Sequence, residues 1–337
     1  GAPPDAMALV LAPSRELCRQ IRGVILGLPE ALRVPTTMLA GPGAVETMGG
    51  KGAEGLAAVV VATPSAVLRL ANARMFRGVR FVVVDEADMM LQGAFLMDVG
   101  RVLDTLKPRA TRKGAVGGEG RRVVYVGATY PDWATEKAKS VVRWIRKRSP
   151  DAVVLNAGEV HRVNDMVTQD WIDVASADPA AAADVVLSVL KNAMETADPA
   201  SLPSGLPFPR TMVFTNTAKN AESLGAYLKD RGLADHVAEF HKNVLPDLRS
   251  EALQRFMSHE VSIIICTDLA SRGLDLGAVD HIIQADFADN VVNYLHRVGR
   301  TARVGRRGRV TSVVGPGSAR LAEQVRQAVA AGGDGGL

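Results

Sequence analysis

Short apolar runs recur along the chain, and each ends in a polar or glycine-bearing turn. Met7 to Ala12 is the first, and Pro13 breaks it. Ser14 is placed to cap a helix in which Leu17, Ile21, Val24, Ile25 and Leu28 fall at helical spacing, which predicts one buried face. Arg15 lies in the first turn of that helix. Further strands are expected near Val34 to Leu39, at Ala58 to Ala62, over Phe81-Val82-Val83-Val84 and at Val123 to Val126. They end at Ala40-Gly41-Pro42-Gly43, Thr63-Pro64, Asp85-Glu86-Ala87-Asp88 and Gly127-Ala128-Thr129. A helix with Phe95, Leu96, Val99, Val102, Leu103 and Leu106 on its core face follows Asp88. Arg109 to Arg122, basic and Gly-rich, reads as a mobile loop. A helix carrying Trp133 and Trp144, then a short strand at Ala152 to Leu155, complete the first half.

Strands that do not alternate polar and apolar residues are buried on both faces. Alternating with helices, they predict an α/β fold with a parallel sheet and helices on both sides. Residues 158–165 read as a linker between a first domain over 1–157 and a second over 166–331. In the second, strands are expected at Thr168 to Val174, Thr211 to Thr215, Ala238 to Phe240, Ser262 to Cys266, His281 to Ala285 and Arg309 to Val314. Ala197 to Arg210, with its four prolines, reads as a loop, and 332–337 as a disordered tail.

At 337 residues and 47% hydrophobic content, the chain can bury a core across two ordinary domains. No apolar run is long enough to span a bilayer, and no charged n-region precedes the first strand. Cys18 and Cys266 alone exclude a disulfide framework or a cysteine zinc site, and read as small buried residues of a reducing compartment. The net charge of +4 permits an anionic partner. Aromatics are only 4%, so a nucleic acid would be held by its backbone rather than on stacking platforms.

Three stretches carry candidate chemistry. Asp85-Glu86 stands where a buried strand leaves its sheet, the edge at which α/β folds bind ligands. An Asp there can reach a Mg²⁺ on nucleotide phosphates, and a Glu can orient water. The same pair also suits the acidic first turn of a helix. Thr267 to Asp275 again sets hydroxyl, carboxylate and guanidinium groups at a strand end. In His296 to Arg303, a helix would put Arg297, Arg300 and Arg303 on roughly one face, where an anion is the natural counterpart. A solvated basic helix is the competing reading. His241, with Pro246 and Arg249 after it, reads by itself as structural.

Together these stretches resemble the DEAD-box RNA helicases of superfamily 2. Asp85-Glu86-Ala87-Asp88 spells the family signature. Pro13-Ser14-Arg15-Glu16-Leu17 is similar to motif Ia, Thr63-Pro64 to motif Ib, and Gly127-Ala128-Thr129 to motif III. Phe214 begins motif IV, Thr267 to Asp275 resembles motif V, and His296 to Arg303 motif VI. The resemblance implies two RecA-like domains, ATP and Mg²⁺ as cofactors, and RNA as partner, held independently of its sequence. It implies that Asp85 positions Mg²⁺ and Glu86 activates water, with Arg300 and Arg303 as arginine fingers and Gly273 and Asp275 beside the nucleotide. Asp88, Gly127, Ala128, Thr129 and His296 would couple hydrolysis to RNA. Pro13, Arg15, Gly41, Gly43, Thr63, Pro64, Arg249 and Thr267 would line RNA.

The chain departs from the family pattern in several places. The only Gly-Lys pair, Gly50-Lys51, continues into Gly52, and Val45 stands where a phosphate-binding loop would begin, so no such loop is present. The first domain is therefore expected to be incomplete at its N-terminus, either as part of a longer protein, the favoured reading, or because the protein truly lacks the loop, and its sheet to expose apolar surface. Gly127 replaces a Ser, Ser65-Ala66 a Gly-Arg, Lys242 a Gly and Pro246 a Gln. The leading reading is an ATP-dependent RNA helicase or RNP-remodelling ATPase. The alternatives are an RNA-binding assembly factor without ATP turnover, as in ribosome biogenesis, and a DNA helicase of the same superfamily. The Pro-rich loop and the divergence suggest a specialised, organellar member.

Overall fold

The valine- and isoleucine-rich runs form two all-parallel sheets in the computed structural model. The structure describes residues 7–40, 58–69, 76, 78–106, 121–128, 136–155, 165–176, 178–197, 207–268, 276–277, 279–303 and 305–330. The chain divides into two compact units, Gly1–Asn156 and Ala157–Leu337.

In the first unit the elements are β1 (Ala8–Leu11), α1 (Arg15–Leu26), β2 (Thr36–Leu39), β3 (Val59–Ala62), α2 (Pro64–Arg69), β4 (Phe81–Val84), α3 (Ala87–Met90), α4 (Gly93–Thr105), β5 (Arg122–Tyr125) and α5 (Glu136–Arg148). Strand order is β2-β3-β1-β4-β5. Leu11 pairs with both Ala62 and Val84, and Val84 with Tyr125. This register ends four strands at one level, so the turns after them share one edge of the sheet. Leu9, Leu11, Val60, Ala62, Val82 and Val84 pack on one face with α4. On the other, Val61, Leu17, Cys18 and Ala40 form a smaller cluster beneath α1. Phe81, Val124 and Val126, at the β4–β5 side, stay exposed.

The second unit comprises β6 (Val167–Asp173), α6 (Pro179–Thr196), β7 (Thr211–Thr215), α7 (Ala218–Leu228), β8 (Val237–Phe240), α8 (Pro246–Met257), β9 (Ile263–Thr267), β10 (His281–Gln284), α9 (Val291–Val298), β11 (Gly308–Val314) and α10 (Ala319–Ala330). Strand order is β6-β11-β10-β7-β9-β8. Alternate residues serve two cores: Met212, Phe214, Ile264, Cys266 and Ile282 face one, and Val213, Ile263, Ile265 and Ile283 the other. Both faces are thus covered, as the non-alternating strands require.

Several expectations are corrected. No strand forms at Ala152 to Leu155, where Leu155 is 88% exposed: among the described residues no neighbouring strand supplies backbone partners. Val24 is 70% exposed, because the buried arc of α1 centres on Leu17 and Cys18 and leaves Val24 on its rim. Leu28 lies past the C-cap residue Gly27 and is also exposed. Arg122, placed in the mobile loop, opens β5 instead, its N–H bonding the Arg80 carbonyl at 2.9 Å. Trp133 and the greater part of the basic loop, the Pro-rich loop and the linker lie outside the described residues. No described helix is long and apolar enough to cross a membrane.

Candidate active site

The turns after β1, β3, β4 and β5 build one edge of the first unit. Pro13 ends β1, and the Ser14 Oγ accepts the Leu17 N–H at 3.1 Å, which fixes the start of α1 and the place of Arg15. Thr63 and Pro64 start α2 and are buried, so they shape this edge more than they present surface.

The turn after β4 is the most constrained. Glu86 has φ 51° and ψ 44°, a left-handed conformation that a side chain disfavours. It is held there from both sides. The Asp85 N–H bonds the Leu11 carbonyl at 2.9 Å, and the Ala87 N–H bonds the Val126 carbonyl at 2.7 Å. The Asp85 Oδ1 accepts the Glu86 N–H at 2.9 Å. Strain of this kind, enforced by surrounding hydrogen bonds, is characteristic of functional turns. Asp88 is 1% exposed, and its Oδ1 accepts the Met89 N–H at 3.0 Å.

Gly127 lies against this turn. A Cβ there would stand 3.2 Å from the Asp88 Cγ and backbone nitrogen. Its lack of a side chain therefore lets the β5 end approach Asp88 more closely than a Ser would.

The edge is electronegative. Burial raises the Asp85 pKa, the Glu86 N–H opposes that, and the neighbouring Asp88 charge adds to it. Buried Cys18 is pushed up to about 12 by burial and by the Glu16 carboxylate, with Asp85 contributing. Glu16 and Cys18 were not foreseen as part of this edge. The sequence placed Glu16 only within the motif Ia resemblance and Cys18 only as a small buried residue; both lie in the first turn of α1.

In the second unit the arginine cluster differs from its expected arrangement. Helix α9 ends at Val298, with Gly299 as its C-cap, so the three arginines do not share a helix face. Arg297 is 0% exposed. Its Nε and Nη2 bond both oxygens of Asp268 at 2.7 Å. Nη2 also reaches the Asn216 Oδ1 at 2.6 Å, and Nη1 reaches the Asp286 carbonyl at 2.6 Å and the Gln284 Oε1 at 3.3 Å. The guanidinium lies over the Phe214 ring, 5.2 Å from its centroid. Arg297 is thus a structural hub joining the ends of β7, β9 and β10 to α9, not an anion-binding group. Asn216, Gln284 and Asp286 were missed as its partners, because nothing in their local sequence points to a guanidinium so far along the chain.

Arg300 is nearly buried, and the Arg303 Nε donates to the Gly299 carbonyl at 2.7 Å. Between them Ala302 has φ 53°. Thr301 Oγ1 donates to the Val279 carbonyl, and Gly308 packs on this segment so closely that a Cβ would stand 2.1 Å from the Thr301 hydroxyl. His296 lies in the last turn of α9. Thr267 is the buried last residue of β9, and Arg249 is half-buried in α8. His241 is buried, with Nε2 3.1 Å from Glu239 Oε2, as a structural histidine would be. Gly41, Gly43, Thr129, Gly273 and Asp275 lie outside the described residues.

Comparison with known proteins fits this arrangement. A DEAD/DEAH box helicase model matches residues 2–137, and a helicase conserved C-terminal domain model matches 200–305. The chain is 30% identical to the DEAD-box ATP-dependent RNA helicase 22 of Oryza sativa subsp. japonica, over 96% of this chain and 66% of that protein. It is also 30% identical to the probable ATP-dependent RNA helicase DDX28 of Homo sapiens, over 90% of this chain and 54% of that one. The chain thus spans about half to two thirds of the length of these relatives. S. cerevisiae Dbp5 bound to RNA and ADP BeF3 has the same fold, with TM-score 0.75 at 24% identity over 96% of this chain and 75% of that one. Both units are RecA-like α/β domains, and the chain belongs to the DEAD-box helicases of superfamily 2.

Proposed function

We propose that the protein binds RNA through its backbone and hydrolyses ATP as an RNA helicase or RNP-remodelling ATPase. The observation that carries this is the turn after β4, where Glu86 is held left-handed between Asp85 and a buried Asp88. Asp85 positions Mg²⁺. Hard carboxylate oxygens suit that ion, and a cation would relieve the burial and the Asp88 charge that together raise the Asp85 pKa. Bound Mg²⁺ supplies charge neutralisation to ATP phosphates. Glu86 orients the attacking water. Arg300 and Arg303 supply guanidiniums that offset charge on the transferring phosphoryl group, and Gly273 and Asp275 line the nucleotide. Asp88, Gly127, Ala128, Thr129 and His296 couple hydrolysis to RNA. Pro13, Arg15, Gly41, Gly43, Thr63, Pro64, Arg249 and Thr267 line the RNA backbone.

A phosphate cradle is still required, since Gly50-Lys51-Gly52 does not provide one. A large ribonucleoprotein such as a ribosomal precursor is the partner we favour, supported by 30% identity to the ATP-dependent rRNA helicase RRP3 of Pyricularia oryzae over 93% of this chain. Cys18 and Cys266, both buried and neither in a disulfide, fit a reducing compartment. An assembly factor without ATP turnover is not favoured, because the relatives bear ATP-dependent helicase names. RNA-stimulated ATP hydrolysis by the full-length natural protein tests the proposal. Glu86→Gln and Arg300→Ala are each expected to lower turnover by about 10²-fold or more. Equal background turnover in the parent and both variants would overturn it.

A further inference from the structure

The first unit carries a second charged edge that none of the family motifs occupies. Helix α5 holds Lys137, Lys139, Arg143, Arg146, Lys147 and Arg148 against a single acid, Glu136. Helix α8, by contrast, mixes signs with Asp247, Arg249, Glu251 and Arg255. Val141, Trp144 and Ile145 turn α5 into the core, which leaves Arg143, Arg146 and Lys147 on the solvent side.

This helix is clamped in place. Arg148 bonds both oxygens of Asp104, at 2.7 and 3.3 Å, and its guanidinium lies 4.5 Å from the Trp144 ring centroid. Gly100 of α4 permits the approach, since a Cβ there would be 3.3 Å from the Arg148 Nη2. Asp104 lies in the last turn of α4, which returns the chain to the amino ends of the strands. Arg148 therefore sets the last turn of α5 at that same end, where exposed Arg122 opens β5 beside Arg80. The only acid in the clamp, Asp104, is already paired with Arg148.

Part of this charge offsets the macrodipole of the last turn of α5. Arg143 precedes that turn and Arg122 lies on a strand, so the macrodipole does not account for them. A rigid basic surface suits phosphates, and the exposed aromatic beside it, Phe81, lies under the Arg122 guanidinium, 5.9 Å from its ring centroid.

We propose that this amino edge of the first sheet is a second RNA-backbone contact surface, opposite the edge that carries Arg15 and Asp85. It engages RNA that extends past the motif edge. The inference rests on the RNA-binding reading above and extends it.

The test measures binding of the whole chain to a short and a long oligouridine across a salt series. Arg143→Glu combined with Lys147→Glu leaves the Arg148 clamp intact. For the long RNA it is expected to lower the slope of log affinity against log salt by about 1.4, two contacts at ~0.7 each. Binding of the short RNA stays unchanged. Arg143→Gln with Lys147→Gln, which removes the charges without reversing them, is expected to change the slope alike. Arg15→Ala weakens both RNAs. Unchanged slopes for the long RNA, or equal losses on both RNAs, would overturn the second surface. Failure of the parent chain to bind either RNA would instead overturn the RNA reading itself.

Discussion

Replacing Arg297 with Ala is expected to destabilise the second unit rather than merely silence chemistry. The side chain is 0% exposed, makes a two-pronged ion pair with Asp268, and donates further to Asn216, Gln284 and the Asp286 carbonyl. Removing one partner of a buried pair leaves the other uncompensated, at about 3–5 kcal/mol. Asp268 keeps some access to water, its side chain being 16% exposed, which pulls the figure towards about 3 kcal/mol. Lost packing over Phe214 acts in the same direction. A domain of this size shifts its melting point by roughly 2–4 °C per kcal/mol, so a fall of about 6–12 °C is expected. Urea unfolding followed through Trp171, which stacks on Tyr294 inside the second unit, reads this directly. Adding Asp268→Asn to Arg297→Ala should recover part of the loss, since the stranded charge is then gone. A destabilisation under about 1 kcal/mol, or no recovery in the double variant, would refute the hub.

Gly308→Ala should destabilise the second unit by about 2 kcal/mol or more, because the new Cβ would meet the Thr301 hydroxyl at 2.1 Å and the Ala302 nitrogen at 2.8 Å. Wild-type melting behaviour would count against the packing of that segment. Buried His281, whose Nε2 is 2.8 Å from Thr311 Oγ1, is lowered to about 4 by burial and by Arg309, against the opposing Asp170. The unfolded chain takes up that proton near pH 6.5 and the folded chain does not, so stability should fall by up to about 3 kcal/mol between pH 6.5 and 4. His281→Gln should flatten that part of the pH profile, and an unaltered slope would contradict the assignment. Glu86→Gly should raise the urea midpoint of the first unit by the equivalent of about 1 kcal/mol, through relief of the left-handed conformation, while abolishing ATP turnover. A lowered midpoint would show that Glu86 is not strained.

The strands were legible because they are short, apolar and closed by breakers. Their buried, non-alternating pattern fixed a parallel sheet with little ambiguity, and Asp85 and Glu86 could be placed at its edge from sequence. The arginine cluster was harder. A spacing of three reads as one helix face only while the helix continues, and Gly299 ends it. Whether a guanidinium meets solvent or protein oxygens depends on the Asp268 carboxylate, the Gln284 amide and the Asp286 carbonyl, which lie at or just past the ends of β9 and β10. The closeness of Glu16 and Asp85 to Cys18 was not legible for a similar reason: an amphipathic pattern reports which face is buried, not which carboxylate lies across from it. The strand expected at Ala152 to Leu155 had the composition of one, but composition cannot supply a neighbour.

The exposed Phe81, Val124 and Val126 make the two halves unequal in a test tube. The second sheet is sheathed on both faces and should refold after mild heating. The first presents exposed apolar side chains beside β5, which has one strand neighbour among the described residues, the kind of surface on which unfolding chains stick to one another before they can return. Heating scans of the whole chain would then be irreversible and depend on scan rate, with the loss set by how fast the first half opens. Turbidity should follow protein concentration, and the second half expressed alone should escape it.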